Sequence, residues 1–145
     1  MTYEKKKEYL QRVFNLDNKI KSNIEELEHY KSIKDSLKAI DYSKERVQES
    51  GTASASYTRI IDKITDLELA VLEDIEYMLE VRAEVEKVIL NLENQNEVIV
   101  CKYRHLLLKK WDDIADMMHM SERHVKRIHK SAILNISIKD VTKCH

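Results

Sequence analysis

Proline is absent from this sequence of 145 residues, and glycine and phenylalanine occur once each, as Gly51 and Phe14. Helix interiors exclude Pro and disfavour Gly, so the composition predicts an almost wholly helical, all-α protein. No apolar run approaches the length of a membrane span, and the polar N-terminus is unlike a signal peptide. Cys101 and Cys144 are the only cysteines. They lack any framework spacing and suit a reducing compartment. The expectation is a soluble, cytoplasmic chain without a membrane partner, holding one domain or a small domain on an extended arm.

What is abundant is charge, and it is unevenly placed. Residues 1–95 carry 15 Lys+Arg against 20 Asp+Glu, whereas residues 96–145 carry 10 against 6. Five of the six histidines also lie in the second part. An acidic arm joined to a basic end suits a nucleic-acid-reading module on a separate scaffold.

Up to about Ile40, Leu10, Val13, Ile20, Ile24, Leu27, Tyr30, Ile33 and Leu37 recur at threes and fours, a narrow stripe of coiled-coil type. Lys5, Lys6 and Lys7 read as a solvated helix end. Residues 41–57 (DYSKERVQESGTASASY) hold Gly51 and four serines without a sustained apolar face. They read as a connector with its loop near 43–57. A second stripe follows in Ile61, Ile64, Leu67, Val71, Ile75, Met78, Val85, Val88 and Leu92. Two segments of similar length joined by one loop predict a long antiparallel helical hairpin over 1–95. Its thin core calls for a further partner, with a homo-oligomer, a dimer, as the expected arrangement.

Residues 111–133, WDDIADMMHMSERHVKRIHKSAI, read as two short helices joined by a tight turn. Ile114, Ala115 and Met118 share one face of the first helix, and Asp112 and Asp113 suit its positive end. Ser121 stands where an N-cap belongs. Val125, Ile128, Ala132 and Ile136 then form an apolar stripe. At about 100° per residue, Arg123, Lys126, Arg127 and Lys130 fill the opposite sector. His124 lies at the edge of that sector, whereas His129 lies closer to the stripe and is expected to be packed. The same bias to packing applies to Trp111. Residues 96–105 begin the basic module, with Val98, Ile99 and Tyr103 as an apolar face.

On these residues the stretch resembles the promoter-reading helix-turn-helix of bacterial sigma factors, region 4 of the sigma-70 type. It is closer still to small phage regulators carrying that module, the RinA/ArpU type of late-gene transcriptional activator. The shared pattern is carried by Ile114, Ala115, Met120, Ser121, Val125, Ile128 and Ala132 and spans roughly 96–136. His119 stands where the family's turn holds Gly, a position of positive φ that His tolerates better than most residues. The resemblance implies double-stranded DNA as partner, with contacts from Glu122, Arg123, Lys126 and Arg127. Physical reasoning adds Ser121 through its helix N-terminus, His124, and Lys130 on a phosphate. The expected organisation is an arm over 1–95, a helix-turn-helix over 96–136 and a tail over 137–145. The expected function is a sequence-specific phage or prophage transcription regulator, with RNA polymerase a second partner of the arm.

Cys101 and His105, four apart on one helix, are the sole pairing that suggests nucleophilic or metal chemistry. No orienting acid or further ligand accompanies them, so neither an enzyme nor a metal or cofactor site is expected. Two alternatives to the regulator are an adaptor that docks on polymerase and a coiled-coil structural protein that binds nucleic acid without sequence preference.

Overall fold

A computed structural model describes residues 1–43 and 51–139, and among these every regular element is helical. Helix α1 spans Tyr3–Ser43, α2 Gly51–Leu90, α3 Gln95–Cys101, α4 Trp111–Met118 and α5 Glu122–Asn135. A π-helical turn, Lys102–Leu106, continues α3. Among the described residues no helix is long and apolar enough to cross a membrane. The near-absence of Gly and Pro accounts for the two helices of 41 and 40 residues.

The α2 helix begins at Gly51, which corrects the expected loop over 43–57: residues 51–57 are helical. Ser and Thr cost a helix little, so the lack of an apolar face over these residues does not break it. Residues 44–50 and the tail from 140 to 145, with Cys144 and His145, lie outside the described residues.

The chain divides into two compact units. In the unit of residues 17–77, Leu27, Ile64 and Leu67 form a small core, flanked by Tyr30 and Ile60. Asp74 accepts from Lys19 Nζ at 3.2 Å and from Asn23 Nδ2 at 3.1 Å.

The other unit joins residues 1–16 to 78–145. Its core gathers Leu10 and Val13 of α1, Val81, Val85 and Ile89 of α2, Leu92, Val98, Leu106, and Ala132, Ile133 and Ile136 of α5 and its cap. The expected boundary at residue 95 therefore falls inside one core. The reason is apolar cover: Leu10, Val85 and Ile133 are each fully buried only because all three segments meet. Arg12 Nη2 bonds Glu84 Oε2 at 2.9 Å, and Arg82 Nη1 donates to the Leu106 carbonyl.

Every residue of the expected stripes within the described side chains is buried or half-buried, but Val81 and Ile89 belong to the seam as well. In α3, Val98, Val100 and Cys101 point inward while Ile99 is exposed, which corrects the apolar face expected from Val98, Ile99 and Tyr103. Val98 and Cys101 pack into this core whereas Val100 turns to a second cluster with Ile114 and Val125, which leaves Ile99 outward. The π-helical turn then rotates the residues after Cys101, Tyr103 among them, relative to an α-helical count.

Candidate nucleic-acid interface

Two local devices set α5 against α4. The first is the end of α4. His119 adopts φ 55° and ψ 42°, the left-handed region expected of it. The Met120 N–H bonds the Ala115 carbonyl at 3.1 Å, and the His119 N–H bonds the Asp116 carbonyl at 3.3 Å. These paired bonds satisfy carbonyls that a helix end leaves orphaned and reverse the chain in one residue. The second device is Ser121. It is extended, and its Oγ accepts from the His124 N–H at 3.1 Å, relieving an orphan donor of α5.

Beneath this turn Val100, Ile114, Ala115 and Val125 form a compact cluster flanked by Tyr103, Trp111, Met118, Met120 and Ile128. Ala115, 6 % exposed, is small where α4 meets α5. On its inner side α5 buries Val125, His129, Ala132 and Ile133. Its outer side carries Glu122, Arg123, His124, Lys126, Arg127 and Lys130, all exposed, as is the capping Ser121. The expected contact residues thus share one accessible surface. Lys126 Nζ pairs with Glu122 Oε1 at 3.2 Å, one turn away. Arg123, Arg127 and Lys130 have no ion-pair partner among the described residues. Their charge faces solvent.

Three side chains behind the surface were not foreseen as a group. Glu97 is buried, and its Oε1 accepts from Ser131 Oγ at 2.8 Å and Asn135 Nδ2 at 3.1 Å. Asn94 caps α3 by accepting from the Asn96 and Glu97 N–H groups. An Asn followed three residues later by Glu reads as a capping box, a signal that marks the helix start correctly. Here the carboxylate crosses to α5 instead of bending back, and it fixes α3 against the last turns of that helix.

His105 does not pair with Cys101. Its Nε2 lies 2.8 Å from Nε2 of His129, with the rings stacked 5.0 Å apart. Trp111 meets the His129 ring edge-on at 4.8 Å, and the Arg104 guanidinium covers Trp111 at 4.4 Å. Arg104 also donates to the Lys109 carbonyl at 3.1 Å. Burial, with His129 and Arg104 nearby, holds the pKa of His105 down at about 3. Burial, Arg104 and Lys7 hold His129 at about 4. Both imidazoles are therefore neutral at pH 7. The 2.8 Å contact between the two neutral rings needs one Nε2–H donating to the other ring's Nε2.

Cys101 is fully buried, and burial together with Glu97 pushes its thiol up to about 12. A protonated, enclosed thiol is a packing residue, not a nucleophile. Among the described residues no three His, Cys, Asp or Glu side chains are grouped to hold a metal ion.

Residues 7–137 match the family described as protein of unknown function DUF722. No similar curated protein and no similar solved structure was found. The chain belongs to the DUF722 family.

Proposed function

We propose that this DUF722 chain is a sequence-specific DNA-binding transcription regulator. In this reading α4, the His119 turn and α5 form a helix-turn-helix. The observation that carries it is the exposed cationic surface of α5, directly opposite the buried Val125–His129–Ala132 side. A helix so equipped fits the major groove, where base edges differ in their donor and acceptor patterns. The resemblance to sigma-type phage activators supports a promoter as target and the cytoplasm of a host bacterium as setting. The long helices α1 and α2 serve as an antiparallel arm for dimerisation or for contact with RNA polymerase. No catalytic step, metal or cofactor enters.

Arg123 and Arg127 are the base readers, because a guanidinium forks onto guanine. Lys130 holds a phosphate as a point charge. Lys126 does the same once its pair with Glu122 opens, which frees Glu122 to accept from a cytosine amine. Ser121 and His124 border the helix N-terminus, where a phosphate is well received.

The test is duplex affinity across a salt series, on a site identified by sequencing DNA crosslinked to the protein. Arg123→Ala should cost about 1–3 kcal/mol on that site and relax preference at one base pair. Lys130→Ala should weaken site and scrambled duplex alike and flatten the salt dependence by about 0.9 in slope. If the Arg123, Lys126, Arg127 and Lys130 alanine variants all bind both duplexes as the unaltered protein does, α5 is not the reading element. Polymerase pull-down in the presence of nuclease then tests the adaptor role. Equal affinity of the unaltered protein for site and scrambled duplex would instead indicate binding without sequence preference.

A further inference from the structure

The first turns of α1 lie against α5. Lys6 Nζ donates to the Leu134 carbonyl at 3.3 Å, in the last turn of α5, where a cation also complements the helix dipole. Tyr3, Tyr9 and Leu10 share the core with Ala132, Ile133 and Ile136. Lys6 is thereby accounted for as a cap, but its neighbour is not. Lys7 is exposed and has no ion pair among the described residues.

At about 100° per residue, Lys7 sits a quarter-turn from Lys6, on the side of α1 that also carries Gln11 and Phe14. Gln11 and Phe14 border Arg104, His105 and Leu108 across a small crevice. That side of α1 therefore faces the turn that holds His105, whose ring is stacked on His129 of α5, and the Lys7 charge helps to keep the His129 imidazole neutral. On α5 itself, Lys126 and Lys130 are displaced from His129 by about 60° and 100° in the same sense. Ile133, which packs under α1, lies on that side too. The Leu134 carbonyl that Lys6 reaches belongs to the same side, so the first turns of α1, which carry Lys7, adjoin the flank of α5 that carries Lys126 and Lys130.

We propose that Lys7 is a phosphate contact, extending the nucleic-acid interface from the Lys126–Lys130 flank of α5 onto α1. This rests on the reading of α5 as the DNA-facing helix. A duplex seated on α5 presents one phosphate backbone along each side of the major groove, and Lys7 meets the backbone on the α1 side. Glu4 and Glu8 share a shallow surface groove with Lys7 and set the limit of this edge. They repel a strand that runs further along α1.

The experiment uses the full chain and the site duplex, with Lys7→Gln, Glu8→Gln and Arg123→Ala compared over a salt series. Lys7→Gln should lower affinity for site and scrambled duplex by the same factor and reduce the salt slope by about 0.9, the contribution of one phosphate. Glu8→Gln should raise affinity several-fold at low salt, which no loss of packing would produce. Lys7→Arg should keep both affinity and slope. Unchanged slope and affinity in Lys7→Gln, with Arg123→Ala still losing base preference, overturns the Lys7 contact and leaves the reading of α5 standing. Should Arg123→Ala and the other α5 variants change nothing, both fall together. Helix content and midpoint of thermal unfolding, followed in each variant, separate a misfolded Lys7→Gln from a binding defect, and Glu8→Gln then decides.

Discussion

Neutral histidine is what the interior of the basic unit requires. His105 and His129 share one proton between facing Nε2 atoms, and neither tolerates a second beside Arg104 and Lys7. Their folded pKa values, about 3 and about 4, lie below the ordinary 6.5. The unfolded chain therefore takes up protons first as pH falls. Their contribution is fully present above the unfolded value near 6.5 and is lost as pH falls towards the folded values. Each unit of pH below the unfolded value removes about 1.4 kcal/mol per imidazole. Denaturant unfolding at about pH 7.5 and about pH 5.5 should thus differ by roughly 2–3 kcal/mol. Replacing both residues by Leu should flatten that difference. Equal stability of the unaltered protein at the two pH values would contradict the neutral pair. Nothing in sequence pointed to this pair, since 24 positions separate its members. The spacing of four between Cys101 and His105 drew attention to the wrong partner.

Among the elements, the long helices and the α4–α5 stretch were the most legible. A stripe at threes and fours, a near-absence of helix breakers and a serine before an apolar run are local signals with local causes. His119 is the test of how local. A left-handed conformation costs a non-Gly residue about 1–2 kcal/mol, and Gly returns part of that as lost chain entropy. His119→Gly should consequently stabilise the unit by up to about 1 kcal/mol, read as a higher unfolding midpoint. A lower midpoint would mean that the exposed imidazole contributes something the backbone does not reveal. Two features were illegible for a physical reason. The start of α2 at Gly51 comes before its apolar seam, where serines and threonines read equally well as loop. The π-helical turn at Lys102–Leu106 leaves no mark in composition, because its extra residue is absorbed by packing around His105 and Leu106.

At the scale of the whole molecule, the arm-plus-module division was the natural reading of a charge asymmetry, yet charge reports surfaces and not cores. Val98, Leu106, Ala132, Ile133 and Ile136 are covered by Leu10, Val13, Val81, Val85 and Ile89. A fragment beginning at Gln95 should accordingly fail to fold, because it exposes that whole side at about 25 cal/mol per Å² of apolar surface. Circular dichroism and denaturant titration of the fragment provide the check. Native-like helix content with a cooperative transition would show that the module stands alone after all.

Closure of this core also has a consequence in time. Leu10 and Ile133 are fully buried in the same cluster but are about 120 residues apart, a distant pairing whose entropic cost precedes its reward. At synthesis rates of about 5–20 residues per second, Leu10 and Val13 wait roughly 6–25 s for their final covering. During that interval the nascent chain displays apolar side chains that the finished protein hides. Ribosome-associated chaperones should therefore dwell on its first turns until α5 emerges, and a chain stopped just short of α5 should remain their client.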